Sequence, residues 1–380
     1  MRAHSRAACA TLVSVIVVAC GANSAGPPAT GVPDATTGHV DAAAADDASA
    51  GDAHDASPPS EWLAVQGNQI LTGDGKPFHG RGANLHDTRS CNACTSLPED
   101  ATLVAEVKRR ADELTGAWHA NFVRLDLEAY AADDGYRKQY KGILDDPTYL
   151  ANTKAIVTHL ASKPGVYVLL SDWTDPTISV VEWPTAATRQ VWTKLAKTFK
   201  DEPRVLFGLV NEPHDDPSKN DQLWTAMNDT VQAIRDAEKK AGGRQHLVVV
   251  QGTHEYARHV DYYVTHPITA GGGTNIAYEV HVYNPTKDFD AMFIQPSKSI
   301  PVIIGEYGPF TAPPMTIADI TNMMNAAEQA GVPYMAWSFH QRCPPNLYED
   351  VPGGGCGIGV PMKPTAPFGE LVKARLAQPW

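Results

Sequence analysis

The chain is short of basic residues and has no long apolar run. Its 380 residues include 31 lysines and arginines against 43 aspartates and glutamates, which gives a formal net charge of −12. Because an acidic chain repels phosphate groups, this composition argues against a nucleic-acid-binding protein. No stretch reaches the roughly 18 apolar residues that a membrane-spanning helix needs. With 43% hydrophobic residues, however, the chain can bury a core, so a wholly disordered protein is excluded.

Acidic residues are absent from the first 20 positions. Arg2 and Arg6 precede a mostly apolar run over 7–18, a pattern typical of an export signal. The run ends at 17–21 in Val-Val-Ala-Cys-Gly, which resembles the lipobox of bacterial lipoproteins and implies that Cys20 carries a lipid. Residues 1–20 therefore predict a lipoprotein signal peptide, and the protein is expected to be exported and to contact the cell-envelope membrane only through Cys20. The alternative is an ordinary cleaved signal peptide and a secreted protein.

Residues 21–60 contain no lysine, arginine or aromatic residue. They are rich in Ala, Asp, Gly, Pro and Ser, and they carry six aspartates. Such a segment cannot bury enough apolar surface to offset the entropy of ordering it. It is therefore predicted to be a disordered acidic linker between the anchor and a folded domain at residues 61–380.

Cysteine is also sparse. Beyond Cys9 and Cys20, the cysteines are Cys91, Cys94, Cys343 and Cys356. The first two of these four form a CxxC pair, but the separation of Cys343 from Cys356 is not that of a zinc ribbon, so no metal is expected. Export favours disulfides instead. Four thiols allow three pairings, and the spacing alone does not choose among them.

Residues 61–380 alternate between strand and helix patterns. Two short apolar runs separated by Gly67 and Asn68 predict an opening β-hairpin. Eight apolar runs follow, at 79–85, 121–125, 166–171, 205–210, 246–250, 276–280, 301–304 and 334–338, with helical patterns at 100–115, 147–162, 187–199, 222–241 and 317–330. Because the runs are continuous, as in buried parallel strands, they predict an α/β fold, a (β/α)₈ TIM barrel behind the hairpin. A doubly wound open sheet is the alternative, but no Gly-rich nucleotide loop follows the first run.

Polar and aromatic side chains stand where five of these runs end. They are Arg124, Asn211, Glu212, His281, Tyr283, Glu306 and Trp337. In a TIM barrel the active site lies at the carboxyl ends of the strands, so these side chains are expected to converge. Singly, each has an ordinary explanation, such as a helix start, a loop or a core position. Together they are mutually compatible, which favours a site.

The two glutamates suggest the chemistry of that site. Carboxyl groups about 5 Å apart suit retaining glycoside hydrolysis, in which one attacks the anomeric carbon and the other donates a proton to the leaving oxygen. Their mutual repulsion is expected to keep one proton on the pair. Asn211 is expected to bind the sugar 2-hydroxyl, and Arg124 to keep the nucleophile ionised. His281 and Tyr283 should border the nucleophile, and Trp337 should form a floor under a pyranose ring.

Two segments carry a family resemblance. The run Val-Leu-Phe-Gly-Leu-Val-Asn-Glu-Pro-His at 205–214 resembles the signature of glycoside hydrolase family 5, the cellulase-type family. The run Ile-Ile-Gly-Glu-Tyr-Gly at 303–308 resembles its nucleophile strand, and Gly-Arg-Gly-Ala-Asn at 80–84 is similar to its first strand. The resemblance implies a (β/α)₈ barrel that hydrolyses β-linked glycans with retention. It implies Glu212 as acid/base and Glu306 as nucleophile, with no cofactor or metal.

The expected protein is a monomeric endo-β-1,4-glucanase whose partner is a polysaccharide or oligosaccharide. A β-mannanase or another β-glycanase of the same family is the alternative within the enzymes. A catalytically silent surface lipoprotein that binds glycans is the alternative of another class.

One feature departs from the family. Many members have a histidine at the end of strand three, whereas this chain has Leu-Leu-Ser-Asp-Trp-Thr at 169–174. Asp172 or Trp173 is expected to take that space. The cysteines lie after strands one and eight, which adjoin where a barrel closes, so a disulfide-braced rim is expected there. Cys343 with Cys356 is the preferred pairing.

Overall fold

The computed structural model describes residues 61–89, 101–130, 141–172, 183–350 and 358–380. The signal peptide with Cys20 and the linker lie outside these ranges. Both stay predictions, which mass spectrometry of the mature N-terminus would test. Trp173, Cys91, Cys94 and Cys356 also lie outside the described residues.

The described chain opens with the predicted hairpin. Strands β1 (Ala64–Gln66) and β2 (Gln69–Leu71) pair antiparallel. Gly67 between them has φ of +61°, a conformation that favours glycine. The hairpin segment contributes Leu63, Ile70 and Phe78 to a core cluster with Phe122 and Tyr167. Because Phe122 and Tyr167 begin their barrel strands, this segment packs against the amino-terminal end of the barrel interior.

Eight parallel strands form a closed barrel, which confirms the predicted TIM-barrel fold. They are β3 (Arg81–His86), β4 (Phe122–Leu127), β5 (Tyr167–Asp172), β6 (Val205–Gly208), β7 (Val248–Gln251), β8 (Ile276–Val282), β9 (Val302–Tyr307) and β12 (Tyr334–Ala336). The strands follow the chain order around the barrel, and β12 closes it by pairing with both β3 and β9. A short hairpin of β10 (Phe310–Thr311) and β11 (Pro314–Met315) follows β9.

The helices cover the outside of the barrel. They are α1 (Ala101–Thr115), α2 (Pro147–Ala161), α3 (Ala186–Thr198), α4 (Asn220–Lys240), α5 (Tyr262–Thr265), α6 (Ile317–Ala330) and α7 (Phe368–Leu376). Their apolar faces form one large core with the outward-facing strand residues, such as Val123, Val168 and Ile304. All five predicted helices are present, and α5 and α7 were not predicted. Among the described residues, none of these helices is both long and apolar enough to cross a bilayer.

Several strands run further toward their carboxyl ends than the apolar pattern predicts. Strand β4 continues through Asp126, β8 through His281, and β9 through Glu306. These residues face the barrel interior, where polar side chains line the mouth, so the pattern of apolar residues ends before the strand does. The strand ends are therefore the places where the site is built.

A β-bulge in β9 turns Glu306 into the barrel. Val280 of β8 pairs with Ile304, but the next residue, His281, pairs with Glu306, so Gly305 is the extra residue. Ile303 faces the interior and Ile304 the helices, so strict alternation would point Glu306 outward. The extra residue reverses the alternation, as bulges commonly do beside active sites.

Candidate active site

A cavity of about 700 Å³ opens over the carboxyl ends of β6 to β9 and β12. Five residues predicted for the site line it: Asn211, Glu212, Tyr283, Glu306 and Trp337. Glu212 follows β6 with φ of +47°, a left-handed conformation that is uncommon for a residue with a side chain. Its backbone N–H donates to Gln251 Oε1 at 2.6 Å, which helps to hold this conformation.

The two glutamates converge on one histidine. His281 Nδ1 lies 2.9 Å from Glu212 Oε1 and 3.5 Å from Glu306 Oε2. One carboxylate oxygen from each glutamate and one ring nitrogen lie within 4.8 Å of one another. The two carboxyl groups are thus close enough to act together on the two atoms of a single substrate bond.

Glu306 is surrounded by hydrogen-bond donors. Arg124 Nη1 donates to its Oε1 at 2.8 Å, and the Tyr283 hydroxyl donates to its Oε2 at 2.9 Å. Burial raises the pKa of Glu306, and the neighbouring Glu212 carboxylate raises it further. The charges of His281 and Arg124 and the Tyr283 hydrogen bond act in the opposite direction. On balance the pKa of Glu306 is raised.

Arg124 connects the site to the barrel interior. It is fully buried, and its guanidinium donates from Nη1 to Asn84 Oδ1 at 2.8 Å and to Asp126 Oδ1 at 2.9 Å. Its Nη2 donates to Asn211 Oδ1 at 2.8 Å. This contact orients the Asn211 side chain, which lines the cavity.

The contacts of His281 favour a proton on both ring nitrogens. Its Nε2 lies 2.9 Å from Glu279 Oε1, so each nitrogen faces a carboxylate oxygen that can accept a hydrogen bond from it. Burial works to lower the pKa of His281, but Glu306, Glu212 and Glu279 outweigh it and raise the pKa to about 10. The ring is therefore a cation near neutral pH, held between two carboxylates.

Aromatic rings form the walls of the cavity. Trp337 packs with Tyr283 and Cys343, and Cys343 is in a disulfide bond whose partner lies outside the described residues. Tyr256 is 50% exposed and stacks on His214 at 4.7 Å between ring centroids. Phe310, on the β10–β11 hairpin, is also exposed. These rings offer flat apolar faces on the solvent side of the carboxylates.

Asp172, predicted to replace the strand-three histidine, does not line this cavity. It is buried, and its Oδ2 accepts a hydrogen bond from the Tyr130 hydroxyl at 2.6 Å. The other candidate for that space, Trp173, lies outside the described residues.

Several site residues were missed by the sequence reasoning, chiefly Asn84, Gln251, Glu279, Tyr256 and Arg258. Glu279 could have been found from the sequence, because residues two apart in a strand face the same side. Glu279 stands two residues before His281 and four before Tyr283, so it belongs to the same side of the chain. Tyr256 and Arg258 lie in a loop without a pattern, so only the structure brings them to the cavity.

A barrel of eight parallel strands, with a pair of carboxylates where the strands end, defines a TIM-barrel protein of the glycoside hydrolase type. The family model described as cellulase, glycosyl hydrolase family 5, matches residues 72–342. The chain belongs to this family, which confirms the resemblance seen at 205–214 and 303–308.

Known relatives agree with this assignment. The chain is 25% identical over 257 residues to Endoglucanase A of Butyrivibrio fibrisolvens, covering 65% of this chain and 52% of that protein. It is 30% identical over 136 residues to the manganese dependent endoglucanase Eg5A of Phanerodontia chrysosporium, covering 33% of each. The chain thus spans between a third and a half of these relatives. A solved β-glucanase of Saccharophagus degradans, in complex with cellotetraose, shares the fold with a TM-score of 0.62 at 20% identity, covering 83% of this chain and 92% of that one.

Proposed function

We propose that this protein is a retaining glycoside hydrolase that cleaves internal β-1,4 bonds of a glucan. The observation that carries the proposal is the pair Glu212 and Glu306, whose nearest oxygens lie within 4.8 Å of each other in an open cavity. That separation suits a double displacement, whereas inverting enzymes keep their carboxyls about 6.5–9.5 Å apart to admit a water molecule. The endoglucanase relatives support glucan as the substrate.

In the first step, a Glu306 oxygen attacks the anomeric carbon while Glu212 gives its proton to the departing glycosidic oxygen. A covalent glycosyl-enzyme forms, and the shortened chain leaves. In the second step, Glu212 takes a proton from water, and the water oxygen attacks the same carbon from the opposite face. Glu306 then leaves as a carboxylate, so two inversions give net retention.

The surroundings of the two glutamates support a different role for each. Burial and the neighbouring Glu212 carboxylate raise the pKa of Glu306 on balance, while Arg124, Tyr283 and the His281 cation stabilise its charge and offset part of that rise. The Glu212 side chain is 27% exposed and opens to the cavity, where a leaving group must receive its proton. The geometry therefore favours Glu306, held among donors to its two oxygens, as the nucleophile, and Glu212, open to the cavity, as the residue that gives a proton to the leaving group.

The aromatic walls favour a polysaccharide over a small glycoside. Tyr256 and Phe310 lie on the solvent side of the cavity, where sugar units beyond the cleaved bond would pass. Pyranose rings carry apolar faces that pack on exposed aromatic rings. Cleavage inside a polysaccharide requires contacts with sugar units beyond the cleaved bond, and these exposed rings are placed to provide them.

A polysaccharide panel tests the function directly. On soluble β-glucan, a carboxymethyl cellulose, mannan and xylan, we expect reducing sugar from the first two, with viscosity falling before much sugar is released. Retention of polymer without new reducing ends would identify a silent glycan-binding protein instead. Greatest activity on mannan would reassign the substrate to a β-mannan.

Metal removal is expected to leave activity unchanged. Glu212, His281 and Glu306 are close enough to hold one ion, but the His281 ring is protonated and so has no lone pair to offer. After dialysis against EDTA, kcat on β-glucan should stay the same, and added Mn²⁺ should not raise it. Loss of activity that Mn²⁺ restores would show that the ion displaces the His281 proton.

A further inference from the structure

A third carboxylate lies beneath the proposed catalytic pair. Glu279 on β8 is fully buried and does not line the cavity. Its Oε1 lies 3.1 Å from Arg124 Nε and 2.9 Å from His281 Nε2, and it accepts a hydrogen bond from Gln251 Nε2 at 3.0 Å. Glu279 thus contacts the two cations that border Glu306 and the amide that holds the Glu212 backbone.

The barrel is shaped to admit this carboxylate. A Cβ atom at Gly305 would overlap the Glu279 carboxyl group, so glycine at the bulge leaves the space that Glu279 fills. The same bulge pairs Glu306 with His281. One local feature of β9 therefore accommodates the buried carboxylate and directs the proposed nucleophile inward.

Burying a carboxylate is costly unless it is paired, so its presence here needs a reason. Burial works against the charge of Glu279, but Arg124 and His281 outweigh it and lower the pKa. Asp126 on β4 also contacts Arg124, but burial raises the pKa of Asp126 well above its usual range. Of these two acids, Glu279 is therefore the one whose charge is favoured beside the two cations.

Among the described residues, three carboxylates lie against His281: Glu279 on its own strand, Glu306 on β9 and Glu212 after β6. Arg124 on β4 acts on the same three carboxylates. Gln251 on β7 is neutral and lies 3.4 Å from His281 Nε2. Glu279 is the one of the three carboxylates that the proposed reaction does not use, so its charge stays constant during turnover.

We propose that Glu279 is a positioning residue that holds the Arg124 guanidinium and the His281 ring against the two reacting carboxylates. The inference rests on the proposed roles of Glu212 and Glu306. Glu279 acts through its two neighbours and touches no substrate.

The test is the Glu279→Gln variant, which keeps the shape but removes the charge. We expect kcat on β-glucan to fall by about 10²-fold, because loss of positioning by about 1 Å has that effect. KM should change little, since Glu279 lies outside the cavity. The His281 ring, followed by NMR titration of the free protein, should lose its proton about 1–3 pH units lower than in the unaltered protein.

The matched control is Glu238→Gln. Glu238 is a buried glutamate on α4 that also pairs with one arginine and one histidine, Arg235 and His246, at 2.9 and 2.8 Å. It lies outside the cavity, so this variant should lower the melting temperature while leaving kcat and the His281 titration unchanged. The Glu238→Gln variant therefore separates the effect of losing any buried charge from the effect of losing the charge of Glu279.

The outcomes separate this inference from the proposed function. Unchanged kcat and an unchanged His281 titration in Glu279→Gln would overturn the inference. If Glu279→Gln does not fold, the titration of His281 in the unaltered protein is the test. A His281 ring that titrates near the usual histidine pKa would overturn the inference, and a ring that keeps its proton above pH 9 would support it. A shifted His281 titration in a protein that hydrolyses no glycan would support the network and reject the function.

Discussion

Replacing Glu306 with glycine is expected to lower kcat on β-glucan by about 10⁴-fold or more, because the variant loses the atom that forms the bond to the sugar. Azide or formate should partly restore cleavage of an activated aryl β-glycoside, since a small anion can enter the space left by the side chain. It would attack from the face that Glu306 occupied while the aryl group leaves. The product with azide should therefore be the α-glycosyl azide, which NMR identifies.

Glu212→Gly is the matched control for that experiment. Here Glu306 still forms the glycosyl-enzyme, and azide attacks it from the opposite face, so the product should be the β-glycosyl azide. Identical anomers from both variants would contradict the assignment of the two roles. Full activity of Glu306→Gly without added anion would exclude Glu306 as the nucleophile.

Replacing Glu212 with glutamine should have the second largest effect, and its size should depend on the leaving group. The leaving group of a natural glycan is a sugar hydroxyl, which departs poorly as an alkoxide and needs the proton, so kcat/KM should fall by about 10²–10⁴-fold. The dinitrophenolate of a dinitrophenyl glycoside departs without protonation, so the rate of forming the glycosyl-enzyme should fall much less. Initial rates on both substrates measure the difference.

The control for this variant is Glu349→Gln, which removes an exposed glutamate paired with Lys363 at 2.7 Å. Exposed pairs of this kind contribute little to stability, so both substrates should be cleaved at the normal rate. An equal loss on both substrates in Glu212→Gln would argue that Glu212 is structural and not an acid.

Much of the fold was predictable because barrel strands are local patterns. Continuous apolar runs such as 205–210 and 276–280 predicted β6 and β8, and the structure confirms all eight barrel strands. Glu212 and Glu306 were identified because each follows such a run. The order of strands around a TIM barrel then implied that their side chains meet.

The side of strand β9 to which the Glu306 side chain points could not be predicted in the same way. Counting from the inward Ile303 with a period of two points Glu306 toward the helices. The bulge at Gly305 corrects this, and a bulge depends on how β8 and β9 pair, which is a contact between segments. Glycine at 305 is compatible with a bulge but also with an ordinary turn.

The sequence by itself determined the class of fold, the family and the identity of the two carboxylates, because these depend on runs of neighbouring residues. Only the tertiary structure decided what surrounds them. Arg124 on β4 contacts Glu279 on β8 and Glu306 on β9, which lie far from it along the chain, and the charges at His281 and Glu279 depend on being buried beside these groups. Their effect comes from distance and burial, which exist only once the barrel has closed.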